Sequence, residues 1–357
     1  MNRPTPRPEV AALPAYVPGA RGAGGPAPVK LSSNESPYPP LPSVVAAIAD
    51  ASGRINRYPD MSATEVTARI AASVNLDPSQ VVVGAGSVAA LSHVLQAYCG
   101  AGSEVVFAWR SFEAYPILAS LAGARAVKVP LTADARHDLD AMAAAITERT
   151  RVVLLCSPNN PTGPTIRADE FAAFMGKVPQ NVLVVLDEAY VEFVEDDATV
   201  DGRVELDRHD NLILMRTFSK AYGLAGLRVG FAAGPADLIA PVRSCVTPFS
   251  ITELASVAAI ASLGAADELL ERVQVTVGER KRVVAAVREL GWNVPDAQGN
   301  FLWLPAGERT ADIAAALGRA DVPILVRPFA DEGIRVTIGT AAENDAMLEA
   351  LGGAGRS

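Results

Sequence analysis

The chain is poor in cysteine and histidine, with three residues of each among its 357. Cys99, Cys156 and Cys245 are far apart and odd in number, and no CxxC spacing occurs. A disulfide framework or a thiolate metal site is therefore not expected, and the scattered histidines show no metal-ligand spacing either. We predict reduced thiols, a cytoplasmic protein and no bound metal.

Long apolar runs and blocks of positive charge are also missing. The longest weakly polar stretch, residues 254–266, is shorter than the ~20 residues that a membrane span needs. The N-terminus is broken by prolines and has no apolar core of signal-peptide length. The formal net charge is −9, and Lys and Arg are dispersed. We therefore expect neither nucleic acid nor a membrane as a partner.

Hydrophobic residues make up 50% of the chain, and its length favours about two domains. Residues 1–44 are rich in Pro, Gly and Ser, and they predict an N-terminal arm that also contributes to a small domain. Residues 45–245 alternate helical patterns with short apolar runs, as parallel strands buried on both faces do. Residues 246–357 predict a smaller α+β domain. The predicted strands are 81–83, 104–107, 126–129, 151–156, 182–186, 211–215, 227–232, 301–304, 324–326 and 334–338.

One glycine motif resembles a different kind of site. Gly84-x-Gly86-x-x-Ala89 follows an apolar strand and matches a dinucleotide-binding fingerprint. NAD binding also needs an acid at the C-terminal end of the next strand, where the ribose lies. Glu104 has about the right separation but opens that strand. We therefore disfavour NAD and keep the strand, glycine turn and helix N-terminus as a cradle for some phosphate.

Three further strands end in residues that can carry chemistry. Residues 154–163 run from an apolar strand into Asn-Asn-Pro-Thr-Gly, residues 182–190 end in Asp-Glu-Ala-Tyr, and residues 216–228 place Lys220 before a glycine-rich turn. Taken singly, these are also an ordinary turn, a helix-capping aspartate and an exposed lysine. Because α/β sheets bind ligands outside the carboxyl ends of their strands, the three together favour one shared site.

Asn-Pro-Thr-Gly, then Asp-x-x-Tyr, then Ser-Lys with an arginine eight residues later resemble the class I/II aminotransferases, which are fold-type I pyridoxal-phosphate enzymes. The resemblance runs from about residue 16 to the C-terminus. It implies the fold-type I α/β architecture, with a large domain built on a mostly parallel sheet and a smaller α+β domain. It also implies pyridoxal 5'-phosphate as the cofactor.

The resemblance gives each matched residue a role. Lys220 would form the internal Schiff base with the cofactor aldehyde and then move the substrate α-proton as base and acid. Asp187 would keep the pyridine nitrogen protonated. Tyr190, the third catalytic candidate, and Asn160 would donate to the phenolic oxygen. The phosphate would be held by Arg228, Ser219, Thr217, Gly86 and Ser87.

Two further positions match the family through single residues. Phe112 aligns with the aromatic ring that stacks on the pyridine, although Trp109 could share that role and Phe112 could be a core residue. Arg335, in Gly-Ile-Arg-Val-Thr-Ile-Gly, matches the arginine that binds the substrate carboxylate through a planar, bidentate guanidinium. The alternative for Arg335 is an exposed position on a strand.

Within the family, the chain is most similar to the histidinol-phosphate aminotransferases and to the actinobacterial aromatic amino acid aminotransferases that branch from them. The shared segments are Tyr-Val-Pro-Gly at 16–19, Leu-Ser-Ser-Asn-Glu-Ser-Pro at 31–37, Arg-Tyr-Pro-Asp at 57–60 and Val-Arg-Pro-Phe at 326–329. In such enzymes the tyrosine at the position of Tyr58 reaches the cofactor phosphate of the partner subunit. The resemblance therefore implies a homodimer.

The choice of substrate depends on few residues. Arg327 could bind the phosphate of histidinol phosphate, bind a second carboxylate, or pack at the rim. Val88 stands where many histidinol-phosphate enzymes have an acidic residue, and an apolar slot for an aromatic ring is expected instead. The candidate substrate contacts are Arg335, Arg327, Tyr16, Asn34, Phe112 and Phe301.

We therefore expect ping-pong transamination between phenylalanine, tyrosine or tryptophan and a 2-oxo acid such as 2-oxoglutarate. The alternative within the family is a histidinol-phosphate aminotransferase. A decarboxylase on the same scaffold would keep Lys220 and Asp187. A regulator with an aminotransferase-like domain would need a DNA-binding module, which the short Pro/Gly-rich segment before Lys30 does not provide.

Overall fold

The computed structural model describes residues 3–13 and 28–354. Tyr16, one of the predicted substrate contacts, lies outside these ranges. The helices are α1 (Pro8–Ala11), α2 (Pro42–Ala51), α3 (Thr64–Ser73), α4 (Ser87–Tyr98), α5 (Ala114–Leu121), α6 (Leu139–Ala144), α7 (Ala168–Met175), α8 (Gly202–Glu205), α9 (Ala236–Ser244), α10 (Glu253–Gly264), α11 (Ala266–Glu289), α12 (Thr310–Gly318) and α13 (Ala341–Ala354). The strands are β1 (Val29–Lys30), β2 (Val81–Gly84), β3 (Glu104–Trp109), β4 (Arg125–Pro130), β5 (Thr150–Cys156), β6 (Leu183–Asp187), β7 (Leu212–Thr217), β8 (Gly230–Ala233), β9 (Phe301–Leu304), β10 (Ile324–Leu325), β11 (Arg327–Phe329) and β12 (Gly333–Thr337).

Seven strands form one sheet in the order β2-β8-β7-β6-β5-β3-β4. β8 is antiparallel to both of its neighbours, and the other pairs are parallel. This confirms the predicted mostly parallel sheet.

Two strand predictions need correction. The strand predicted at 227–232 begins only at Gly230 and is antiparallel. A parallel connection needs a dozen or more residues and usually a helix, whereas the segment 218–229 forms turns without a helix, so the chain reverses direction. The strand predicted at 126–129 is β4, an edge strand whose side chains are mostly exposed or half-buried. An edge strand is packed less completely than the central strands.

Both faces of the sheet are covered because its central strands are continuously apolar. In β3, Val105 and Phe107 pack with one cluster that includes Leu91 of α4. The alternate residue Val106 packs with a second cluster that includes Phe171 of α7. Successive side chains of a strand point to opposite faces, so an uninterrupted apolar run fills both layers.

A second group of elements surrounds a small antiparallel sheet of order β11-β12-β9. Its core joins α11, α12 and α13 to these strands, and β1 pairs in parallel with β10. Helix α10 packs on α2 and α3, although it follows residue 245, so the predicted boundary at 245 stays a prediction. Among the described helices, none has both the length and the apolar character needed to cross a bilayer.

Glu104 has a structural role at the start of β3, away from the carboxyl ends of the strands. Its Oε1 accepts hydrogen bonds from Arg125 Nη2 at 2.6 Å and Arg149 Nε at 2.7 Å, and its Oε2 accepts from Thr147 Oγ1 at 2.7 Å. These bonds, Arg125 first, lower the pKa of the carboxyl to about 2. A carboxylate in this position does not meet a ribose, which argues against the dinucleotide interpretation.

We predict that Glu104→Gln lowers the free energy of unfolding by roughly 2–4 kcal/mol at neutral pH, because it removes a buried charge that two arginines share. The folded-state pKa is depressed, so this stabilisation is present above the unfolded value of about 4.3. It is lost as the pH falls toward about 2. Denaturant unfolding at several pH values measures it. The exposed Glu148→Gln is the control, and equal stability of Glu104→Gln and wild type at neutral pH would contradict the prediction.

Candidate active site

The candidate active site lies where several strands of the large sheet end. Strands β2, β3, β5, β6 and β7 run in one direction, so their carboxyl ends share an edge. A cavity of about 230 Å³ lies there, lined by residues that end or follow these strands, including Ser111, Cys156 and Asp187. This is where α/β sheets bind ligands.

Most of the predicted site residues meet in this cavity. The predicted residues that line it are Ser87, Phe112, Asn160, Asp187, Tyr190, Thr217, Ser219, Lys220, Arg228, Arg327 and Arg335. Gly86 adjoins Arg228, and Asn34 and Phe301 contact Tyr190, so these three residues lie next to lining residues. Tyr58 is outside the cavity, with 82% of its surface exposed and its ring 4.7 Å from that of Phe249.

Lys220 projects into the cavity from the turn that follows β7. Its Nζ donates to the carbonyl oxygen of Ser33 at 3.2 Å and lies 5.6 Å from the centre of the Tyr190 ring. Burial, together with the charge of Arg335, lowers the pKa of the Lys220 ammonium to about 7. Near neutral pH, a substantial fraction of the protein molecules therefore has Lys220 as a neutral amine, which can act as a nucleophile or a base.

Asp187, the last residue of β6, is held by a residue that the sequence analysis did not identify. The buried hydroxyl of Tyr115 donates to Asp187 Oδ2 at 2.7 Å. Oδ1 is also buried, and among the described residues it has no hydrogen-bond partner. Burial raises the pKa of Asp187 to about 6 while the Tyr115 bond opposes the rise. The carboxyl is thus largely ionised at neutral pH with one oxygen available to a ligand.

Tyr190 is fixed from behind by two of the predicted substrate residues. Asn34 Nδ2 donates to the Tyr190 hydroxyl oxygen at 3.0 Å, and the Phe301 ring packs edge-on against the Tyr190 ring at 5.0 Å. Burial raises the pKa of Tyr190, so its hydroxyl stays protonated and can donate. Asn34 and Phe301 are fully buried, and they position Tyr190.

The predicted phosphate cradle is formed where α4 begins. Gly86 caps this helix with a φ of +83°, and a Cβ on Gly86 would collide with the guanidinium of Arg228. Arg228 Nη1 lies 3.4 Å from Ser219 Oγ, which in turn accepts from Thr217 Oγ1 at 3.0 Å. A helix N-terminus, an arginine and two hydroxyls are the donors that bind phosphate.

Arg335 enters the cavity from β12, in the small sheet. Its Nη1 donates to Asn160 Oδ1 at 2.6 Å, and its Nη2 donates to the carbonyl oxygen of Ser32 at 2.7 Å. Only 8% of Arg335 is exposed, so the alternative of an exposed position on a strand is wrong. The guanidinium brings together residues from the N-terminal segment, the loop after β5 and the small sheet.

Arg327 enters from β11 and forms an ion pair with Glu113, a lining residue that the sequence analysis also missed. The Nη2–Oε2 distance is 2.7 Å. The Arg327 guanidinium lies 5.6 Å from the centre of the Phe329 ring. Tyr115 and Glu113 are both within three residues of the predicted Phe112. Their closeness in the sequence to a predicted site residue is the feature that could have identified them.

Of the two candidate stacking rings, Phe112 lines the cavity and Trp109 does not. Phe112 packs edge-on against Tyr115 at 5.6 Å. Trp109 instead packs against two cations, with Lys128 Nζ at 4.1 Å and the Arg110 guanidinium at 4.4 Å from its ring. Within residues 3–13 and 28–354, no group of His, Cys, Asp and Glu has the arrangement of a metal site.

Comparison with known proteins identifies the family. The model of the family "aminotransferase class I and II" matches residues 26–351. The aromatic amino acid aminotransferase of Streptomyces avermitilis is 51% identical over 344 residues, covering 96% of this chain and 95% of the relative. The enzymes of the same name from Cutibacterium acnes and Thermobifida fusca are 53% and 54% identical, covering 96% and 94% of this chain and 96% and 93% of theirs.

Solved structures agree with this assignment. Histidinol-phosphate aminotransferase from Sinorhizobium meliloti, in complex with pyridoxal-5'-phosphate, has a TM-score of 0.88 and 27% identity, covering 98% of this chain and 97% of that one. N-succinyldiaminopimelate aminotransferase from Mycobacterium tuberculosis has a TM-score of 0.82 and 28% identity, covering 92% and 93%. The predicted fold-type I architecture is thereby confirmed, and the chain belongs to the class I and II aminotransferases.

Proposed function

We propose that the chain is a pyridoxal-phosphate-dependent aromatic amino acid aminotransferase that works as a homodimer. The single observation that carries the chemistry is that Lys220 and Asp187 line one cavity, where Asp187 Oδ1 is buried and has no hydrogen-bond partner among the described residues. The proposed substrate class is supported by the relatives at about 50% identity, which bear the name aromatic amino acid aminotransferase.

The residues of the cavity fit the cofactor. The buried Asp187 Oδ1 lacks a partner among the described residues and would accept a hydrogen bond from a protonated pyridine nitrogen. The cradle of Ser87, Ser219 and Arg228 would hold the phosphate. Arg228 can occupy its place there because Gly86 has no side chain to collide with the guanidinium. Lys220 Nζ would be the point of covalent attachment, and Phe112 would cover one face of the ring.

When bound, pyridoxal phosphate supplies an aldehyde that takes up the amine and a ring that accepts electrons from the substrate α-carbon. Arg335 would orient the substrate by binding its carboxylate. That carboxylate would accept hydrogen bonds from the guanidinium either instead of, or in addition to, the oxygens of Asn160 and Ser32. The neutral Lys220 amine would then take the proton from the α-carbon. Tyr190 and Asn160 would donate hydrogen bonds to the phenolic oxygen, and Asp187 would keep its negative charge.

The net reaction would convert an aromatic L-amino acid into its 2-oxo acid and then aminate a second oxo acid such as 2-oxoglutarate. The same site would carry out both half-reactions, and the 2-oxo acid product would leave before the second oxo acid binds. Ping-pong kinetics are therefore expected. Steady-state rates with phenylalanine, tyrosine, tryptophan and histidinol phosphate as donors test the proposal. Parallel double-reciprocal lines and the highest kcat/KM for an aromatic donor would support it. A higher kcat/KM for histidinol phosphate would support the alternative.

Tyr58 supports the homodimer through its exposure. It forms an exposed apolar patch with Phe249, whose ring lies 4.7 Å away and which is 39% exposed. Ile55 and Met61, on either side of it in the sequence, are 66% and 59% exposed. Exposed patches of this kind mark protein–protein contacts. We propose that Tyr58 extends from this patch to the phosphate cradle of the partner subunit.

We predict that Lys220→Ala lowers kcat for transamination by roughly 10²–10⁴-fold or more, because the base that moves the α-proton is removed. Cofactor bound to this variant should be released by dialysis, since its covalent attachment is lost. Absorbance spectra before and after dialysis measure this release. Lys177→Ala, which removes an exposed lysine paired with Asp140, is the control. Full activity of Lys220→Ala would exclude the proposed mechanism.

We predict that Tyr58 acts across the subunit interface. Chains carrying Lys220→Ala and chains carrying Tyr58→Ala, each with its own tag, are co-expressed and the heterodimer is purified. One of its two sites then has both Lys220 and the partner subunit's Tyr58. Activity should rise above that of either mutant homodimer, toward half of the wild-type value. A heterodimer no more active than the Tyr58→Ala homodimer would show that Tyr58 does not act in trans.

A further inference from the structure

Two arginines of the small sheet face the same cavity from adjacent strands. Arg327 of β11 and Arg335 of β12 are direct partners in the antiparallel register, and both are about nine-tenths buried. Opposed residues of neighbouring strands project to the same face of the sheet. The cavity therefore has two neighbouring guanidinium groups, each able to bind an anionic group.

The hydrogen bonds of the two arginines go to different kinds of acceptor. Arg335 donates to neutral oxygens of Asn160 and Ser32. Arg327 instead donates through Nη2 and Nε to one carboxylate oxygen of Glu113, at 2.7 and 3.3 Å. A carboxylate at this distance compensates the charge of the Arg327 guanidinium. An anionic substrate group would therefore compete with the Glu113 carboxylate for Arg327.

Glu113 is well placed to interact with a substrate side chain. It lines the cavity, and its side chain is 29% exposed. It lies at the start of α5, where the helix dipole favours a negative charge. Its neighbours in the cavity include the rings of Phe112 and Phe329, so the ion pair is flanked by apolar surface.

We propose that Glu113 determines the charge selectivity of the side-chain subsite. By neutralising Arg327 it lets that end of the cavity accept an uncharged ring. An anionic side chain must either displace the Glu113 carboxylate or lie beside it, and repulsion of this kind is a common source of specificity. This inference rests on the proposed function, because it takes Arg335 as the site of the α-carboxylate and Arg327 as the side-chain end.

A second ion pair nearby provides a matched control. Arg110 Nε donates to Glu332 Oε2 at 2.9 Å. Neither residue lines the cavity, and the Arg110 guanidinium is 5.4 Å from the centre of the Phe329 ring. Glu332→Gln therefore removes the same charge from the same region without changing the cavity wall.

The test measures equilibrium binding of two unreactive ligands to the holoenzyme. Calorimetry gives the dissociation constants of glutarate, which has a second carboxylate, and of 3-phenylpropionate, which has a ring. In Glu113→Gln the ratio of the glutarate constant to the phenylpropionate constant should fall by about tenfold, equivalent to about 1.4 kcal/mol. The ratio should not change in Glu332→Gln. In an Arg327→Gln background, Glu113→Gln should lower the ratio by less, because only the repulsion by Glu113 is removed and no guanidinium is released.

The outcomes separate this inference from the proposed function. An unchanged ratio in Glu113→Gln, with wild-type enzyme still transaminating phenylalanine, overturns the inference and leaves the function standing. A lowered ratio in an enzyme that does not transaminate aromatic donors supports charge selection by Glu113 and overturns the proposed substrate class. An equal fall in Glu332→Gln would show a general field effect and also overturn the inference.

Discussion

The enclosure of Lys220 and Asp187 in a single cavity is the constraint on which the rest of the structure depends. Burial opposes both charges, lowering the pKa of the lysine to about 7 and raising that of the aspartate to about 6. The hydrogen bond from Tyr115 to Oδ2 keeps the pKa of Asp187 from rising further, and Oδ1 stays available to a ligand. Both groups can therefore hold functional protonation states near neutral pH.

The one antiparallel strand of the large sheet is what completes this cavity. Lys220 follows the carboxyl end of β7, while Arg228 precedes the amino end of β8. Because β8 runs against β7, these two ends lie at the same edge of the sheet. A parallel β8 would carry Arg228 to the opposite edge, away from Gly86 and the start of α4. The reversal of the chain thus brings Arg228 to the proposed phosphate cradle.

The sequence was sufficient to predict the residues at the strand ends, because an apolar run followed by a polar turn marks a carboxyl end locally. Lys220, Asp187 and Asn160 were found in this way, and family resemblance added Arg335. The direction of β8 was missed because apolar composition does not encode direction. The Tyr115–Asp187 and Glu113–Arg327 contacts join residues 72 and 214 positions apart. No local periodicity reports such tertiary pairs.

In the proposed function, this cavity takes the amine from an aromatic amino acid. The most direct test of this proposal is a half-reaction, in which purified holoenzyme is mixed with L-phenylalanine and no oxo acid, while the absorbance of the bound cofactor and the release of phenylpyruvate are followed. We predict one phenylpyruvate per active site, at a donor concentration well below that needed with histidinol phosphate. Absence of phenylpyruvate, or preferential reaction with histidinol phosphate, would show that the cavity does not select aromatic donors.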